Sequence, residues 1–143
     1  MIRRRGWLAG AASVVLLKPA RAEPEAMAGV LRQFTGGATV RDGRVNFDVA
    51  ALVENGNTVP ITVTVDSAMG AANAVRRIAI FTERNPQPDV AVFEFGPLAG
   101  KAQVATRMRL ATSQMLVAVA QFNDGSFWQH RVEVIVTLAA CLE

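Results

Sequence analysis

The chain holds a single cysteine and a single histidine among its 143 residues. One cysteine, Cys141, excludes an internal disulfide and leaves a free reactive thiol or an intermolecular bond. One histidine, His130, leaves no second His or Cys with which to build a metal site, so no metal is expected. Glycine-rich phosphate loops and nucleophile elbows are absent, and no cofactor is expected. No apolar run reaches the roughly 20 residues that cross a bilayer, which argues against a membrane anchor. There is no internal repeat, no low-complexity tract and no sign of a second large domain.

What is present divides at residue 22. Arg3, Arg4 and Arg5 form a positive start, residues 7–17 an apolar run, and Ala20-Arg21-Ala22 a small-x-small cleavage site. Residues 1–22 therefore read as a signal peptide cleaved after Ala22, and the expected location is the periplasm. The adjacent arginines before Gly6-Trp7-Leu8 point to the twin-arginine route, with an ordinary Sec signal as the alternative. Five of the 15 Lys and Arg residues lie in this segment and none of the 12 Asp and Glu, so the remainder carries a formal net charge of −2. The high isoelectric point belongs partly to the leader, and nucleic-acid binding is not expected.

Residues 23–143 form the expected domain, held by its core alone. Met27, Val30, Leu31 and Phe34 recur at helical spacing, which predicts a short amphipathic helix stopped by Gly36-Gly37. The period then changes to two. Val45, Phe47 and Val49 alternate with polar residues, as do Ile61, Val63 and Val65 with threonines. Further strands are predicted over residues 75–81, 90–95, 103–110, 114–122 and 126–138. Asn55-Gly56, Asn85-Pro86-Gln87-Pro88, Gly96-Pro97 and Asn123-Asp124-Gly125 mark the turns. About seven strands at this spacing predict an all-β, immunoglobulin-like antiparallel β-sandwich with a short N-terminal helix.

The inventory for catalysis is thin. His130 lies within the last predicted strand and reads as a strand-face or core-edge residue. A Cys141–His130 thiol protease would need a rigid scaffold that a terminal tail does not supply. Arg107 and Arg109 share one strand face and Arg76-Arg77 lie in another, which reads as an anion site or a solvated sheet face. Trp128, after the last turn, reads equally as a core residue or an interface anchor. Glu54, Glu83, Asp89, Glu94 and Asp124 fall mostly at loops or strand ends, where carboxylates confer solubility. Cys141 stands apart. Placed beyond Leu138, it is expected to be exposed and mobile on an arm reaching about 10 Å from the sheet. A carrier thiol needs that placement, because one sulfur must enter several active sites; an incidental terminal cysteine is the alternative.

Several motifs together resemble the SoxY family, the sulfur-carrier subunits of the thiosulfate-oxidising Sox system. They are Glu54-Asn55-Gly56-Asn57-Thr58-Val59-Pro60, Asp66-Ser67 with Met69, Ile78-Ala79-Ile80-Phe81, and Asn85-Pro86-Gln87-Pro88-Asp89-Val90-Ala91. Gly100-Lys101-Ala102, Thr106-Arg107-Met108-Arg109-Leu110-Ala111, Ser113-Gln114, Val117-Ala118-Val119-Ala120 and Asp124-Gly125-Ser126 continue it. The resemblance implies a sandwich fold, a twin-arginine signal and a heterodimer with a SoxZ-like subunit. It also implies covalent sulfur attachment at Cys141, served by separate Sox enzymes such as a c-type cytochrome complex and a sulfate-releasing hydrolase. The carrier arm is then residues 138–143. The family's arm ends Gly-Gly-Cys-Gly-Gly, whereas this chain has Ala139 and Ala140 before the cysteine and Leu142 and Glu143 after it. Leu142-Glu143 reads either as native sequence or as the dipeptide that often precedes a purification tag.

The expected function is therefore that of a non-enzymatic carrier of sulfur intermediates of thiosulfate oxidation, bound through Cys141. The alternatives are a SoxY-like carrier in another pathway and a structural or interaction subunit that carries nothing. A thiol-dependent hydrolase would differ from all three in showing turnover as an isolated chain.

Overall fold

The computed structural model describes residues 24–141. The expected leader, residues 1–22, and the arm residues Leu142 and Glu143 lie outside them.

Helix α1 spans Pro24–Thr35. Its end is a Schellman motif: Gly36 (φ 63°) and Gly37 (φ 83°) take left-handed backbone, and the Gly37 amide donates to the Arg32 carbonyl at 3.2 Å. The predicted stop at Gly36-Gly37 has this physical basis.

Nine strands follow: β1 (Val40–Asp42), β2 (Val45–Asp48), β3 (Leu52–Val53), β4 (Val59–Val65), β5 (Val75–Thr82), β6 (Asp89–Glu94), β7 (Gln103–Met108), β8 (Gln114–Phe122) and β9 (Phe127–Val136). One sheet runs β1-β9-β8-β5-β6, with β3 also on β9; the other runs β2-β4-β7. Pairing is antiparallel except where β1 and β3 join β9 in parallel. β1 meets the beginning of β9 (Val40 opposite Phe127) and β3 meets its end (Val53 opposite Val136). β8 pairs with β9 along most of its other edge, so β9 is flanked on one side from Phe127 to Val134 and on the opposite side at both ends. These two short strands, of three and two residues, are the elements that alternation does not reveal. The last strand also stops at Val136, two residues before the predicted end.

The sheets pack as a sandwich. β2 and β4 direct Val45, Phe47, Val59, Ile61, Val63 and Val65 inward, where they meet Ile78, Ile80, Leu116, Ala118, Phe122 and Val134 of the larger sheet. Thr62 and Thr64 alternate to the outer face of β4, which is the period-two pattern of a half-buried strand. β5 and β8 differ because both of their faces are buried. Their outer side chains Ala79, Phe81, Val117 and Val119 lie under α1, against Met27, Val30, Leu31 and Phe34. Phe34 stands edge-on to Phe81 at 5.7 Å and to Phe127 at 5.8 Å, a favoured aromatic geometry. Double burial explains the near-continuous apolar run of β8.

Candidate functional site: the terminal cysteine and its mooring

Cys141 is exposed. The backbone leading to it is nonetheless tied to the sandwich. The Val136 amide donates to the Ser113 hydroxyl at 2.9 Å, and the Thr137 amide to the Val53 carbonyl at 3.0 Å. The Leu138 carbonyl accepts from the Gly56 amide at 2.8 Å, and the Ala140 amide donates to the Leu110 carbonyl at 3.0 Å. Finally, the Cys141 amide donates to Asn57 Oδ1 at 3.1 Å. The expected free arm from Leu138 is thus corrected: residues 137–141 run along the body, because their amides and carbonyls meet partners in two loops distant in sequence.

Gly56 is the centre of this junction. Its carbonyl accepts from the Leu110 amide at 2.8 Å, so residues 56, 110 and 138–140 share one hydrogen-bonded cluster. A Cβ at Gly56 would lie 2.6 Å from the Leu110 carbonyl oxygen and 3.0 Å from both the Ala140 nitrogen and Val136 Cγ1. Asn55-Gly56 does form a turn, as its sequence predicts, but glycine is required there for room and not for a positive φ. Beside it, Asn55 Oδ1 accepts from both the backbone amide (3.0 Å) and the Nδ2 (3.1 Å) of Asn57. With Nδ2 donating to Asn55, the Asn57 carboxamide presents its oxygen to Cys141.

The other candidates do not converge on the thiol. His130 lies mid-β9, opposite Ala118, and its Nδ1 accepts from the Phe47 amide at 2.9 Å. It fastens β2 to β9 across the sandwich. Six residues of strand separate it from Val136, about 20 Å, so no thiol–imidazole pair forms. Arg107 and Arg109 line an open cleft of about 310 Å³, in which Asp89 contributes the opposite charge. Arg77 donates through Nε to Gln121 at 2.7 Å and stacks over Phe34 at 4.5 Å; Arg76 is exposed. Trp128 is half-buried against the core, with the Arg41 and Arg44 guanidiniums 5.6 and 5.5 Å from its ring. The chain itself therefore occupies the indole. Asp124 accepts from the Ser126 hydroxyl at 2.6 Å and the Ser126 amide at 2.9 Å, bonds that hold its carboxyl below the ordinary 3.8. Among the described residues, no group of three or more His, Cys, Asp or Glu side chains is placed to hold a metal ion.

The sequence that builds this sandwich and its exposed thiol matches a known family. The family described as sulfur oxidation protein SoxY aligns with residues 31–141, ending on the cysteine itself. The chain belongs to the SoxY family. A solved relative is the sulfur carrier protein SoxY from Chlorobium limicola f thiosulfatophilum, 28% identical, covering 80% of this chain and 97% of that one with a TM-score of 0.65. The fold is shared more widely. A superoxide reductase (neelaredoxin) from Ignicoccus hospitalis is 20% identical over 66% of this chain and 80% of its own, with a TM-score of 0.58. The superoxide reductase from Nanoarchaeum equitans is 12% identical over 67% and 100%, with a TM-score of 0.56. At these identities the likeness is of fold alone. No curated protein matches the sequence.

The residues that sequence reasoning passes over are Asn57, Leu110 and Ser113. All three stand inside the SoxY-like motifs, but their bonds to the terminal segment span 23 to 84 positions. The one local signal is Asn55-Gly56-Asn57 itself, an amide-rich turn with a glycine at its centre.

Proposed function

We propose that the protein carries sulfur intermediates of thiosulfate oxidation covalently on Cys141 and presents them to separate enzymes. The observation that carries this reading is an exposed thiol at the last position of the family match. The SoxY family implies a Sox-system partner such as SoxZ, and a one-to-one heterodimer with a SoxZ-like subunit follows. The working compartment is the periplasm, reached by cleavage after Ala22.

The chemistry can be balanced. Joining the Cys141 thiolate to the outer sulfur of thiosulfate forms one S–S bond, Cys–S–S–SO3⁻, and releases two electrons. A c-type haem enzyme is the class of acceptor required. Hydrolysis then cleaves the bond to the sulfonate: water supplies the fourth oxygen of sulfate, and the carrier keeps a persulfide. In this scheme the chain contributes a tethered sulfur and no catalytic group, so the isolated protein turns nothing over.

Intact-mass and peptide mass spectrometry of protein recovered from host cells grown on thiosulfate tests the reading. Sulfur adducts confined to Cys141 are expected. An unmodified thiol throughout, with pathway activity unchanged by Cys141→Ser, overturns it. The replacement of the family's arm glycines by Ala139, Ala140, Leu142 and Glu143 favours a second reading, a carrier for another pathway or a subunit that carries nothing. Adducts of different mass on Cys141 would identify the first of these.

A further inference from the structure

We infer that Asn57 is a positioning residue for the carrier thiol: its carboxamide parks the Cys141 backbone against the domain, and unloading the arm requires that bond to open. The functional meaning rests on Cys141 being the carrier cysteine; the geometry does not. Three observations converge. Asn57 Oδ1 accepts from the Cys141 amide at 3.1 Å, the final hydrogen bond of the terminal segment among the described residues. The orientation of that oxygen is set by a second residue, because Asn55 Oδ1 takes both the Nδ2 and the backbone amide of Asn57. Gly56, between them, has no Cβ and so admits the Ala140 nitrogen at the distance where a side chain would intrude.

The bond holds the residue by its main chain and leaves the thiol exposed, so it fixes position without blocking chemistry. It is also the weakest kind of link in the series. Both partners are exposed, whereas the Gly56 amide and the Leu110 carbonyl belong to buried residues. Opening therefore begins at Cys141 and moves inward past Ala140 and Leu138. Once all these bonds are open, the five residues beyond Val136 span roughly 17 Å. Parked and extended positions of the sulfur thus differ by enough to enter or leave an enzyme's pocket. A partner enzyme that offers the arm's backbone equivalent acceptors can exchange for Asn57 with little net loss.

The test uses the mature chain and backbone amide hydrogen exchange followed by NMR. Asn57→Ala is expected to speed exchange at Cys141 by about five-fold, the net value of one such hydrogen bond. The Thr137 amide, which donates to Val53, is expected to be unchanged. Asn55→Ala removes the acceptor that orients the Asn57 carboxamide and is expected to speed exchange at Cys141 as well. Equal Cys141 exchange in wild type and Asn57→Ala would overturn the inference, as would an Asn55→Ala variant that exchanges at Cys141 as slowly as wild type. The carrier reading is judged separately, by Cys141→Ser in the host. Loss of pathway activity there with no exchange effect at Asn57 removes the positioning role alone. An exchange effect without loss of pathway activity removes the carrier reading alone.

Discussion

Replacing Gly56 by alanine adds one methyl group at the point where three chain segments meet. The new Cβ would fall 2.6 Å from a backbone oxygen, that of Leu110, and backbone cannot swing aside as a long side chain can. Either the 56–57 turn shifts outward or residues 110 and 138–140 do. Overpacking of this kind costs about 1–3 kcal/mol. A shift also stretches two hydrogen bonds, Gly56 N to Leu138 O and Leu110 N to Gly56 O, each worth about 1 kcal/mol net. The expected loss is about 3 kcal/mol, which lowers the melting temperature of a domain this size by roughly 10 °C. Urea unfolding of Gly56→Ala against wild type measures it directly. Gly29, on the exposed side of α1, supplies the control, because no atom lies within 4 Å of the place its methyl group would take. Gly29→Ala is expected to stabilise by about 0.5–1 kcal/mol, since alanine is the better helix former. A Gly56→Ala protein whose stability stays within about 0.5 kcal/mol of wild type, the range of a neutral surface change, would refute the crowding argument and with it the account of how the terminal segment is seated.

Removing the imidazole in His130→Ala leaves the Phe47 amide of a buried residue without its acceptor, and a loss of about 1–3 kcal/mol in urea unfolding is expected; an unchanged midpoint would mean that the two sheets are not fastened there. Asp124 has a lowered folded pKa, so its support of the β8–β9 turn is full above the ordinary value of 3.8 and is lost as pH falls through the lower folded value. A carboxyl titration by NMR with a midpoint at or above 3.8 would contradict the Ser126 bonds. Cys141→Ser should leave the unfolding curve and partner binding as they are, because an exposed thiol contributes no core packing; a destabilised variant would show that the sulfur has a structural role.

How much of this is legible in the residue order depends on how far each interaction reaches. β4 announces itself because every second residue, from Val59 to Val65, faces the core while threonines face out. α1 is legible from four apolar positions and a double glycine. β8 reads as a strand, but its burial on both sides follows only from the helix that covers it. β1 and β3 escape the pattern because Val-Arg-Asp and Leu-Val carry no period; they become strands only because β9 offers them an open edge. The candidate site divides in the same way. The position of Cys141 near the terminus can be read directly, and so can the lack of a second thiol or imidazole. The mooring of its backbone cannot, since a hydrogen bond between residues 57 and 141 leaves no trace in local composition.

The pairing of β9 on both sides has a mechanical consequence. β9 runs directly into the segment that bears Cys141, so any pull on the sulfur by an enzyme that has seized it is delivered along the strand axis. Antiparallel ladder bonds lie perpendicular to that axis. The bonds between β9 and β8, in register from Phe127 to Val134, are therefore loaded in shear and share the force, instead of failing one by one as in a strand peeled from its end. β1 and β3 add a second row on the opposite edge. The segment beyond Val136 is held by single bonds in sequence and yields first. The molecule is thus built like a rope spliced into a beam, with a moored length that gives before the splice does.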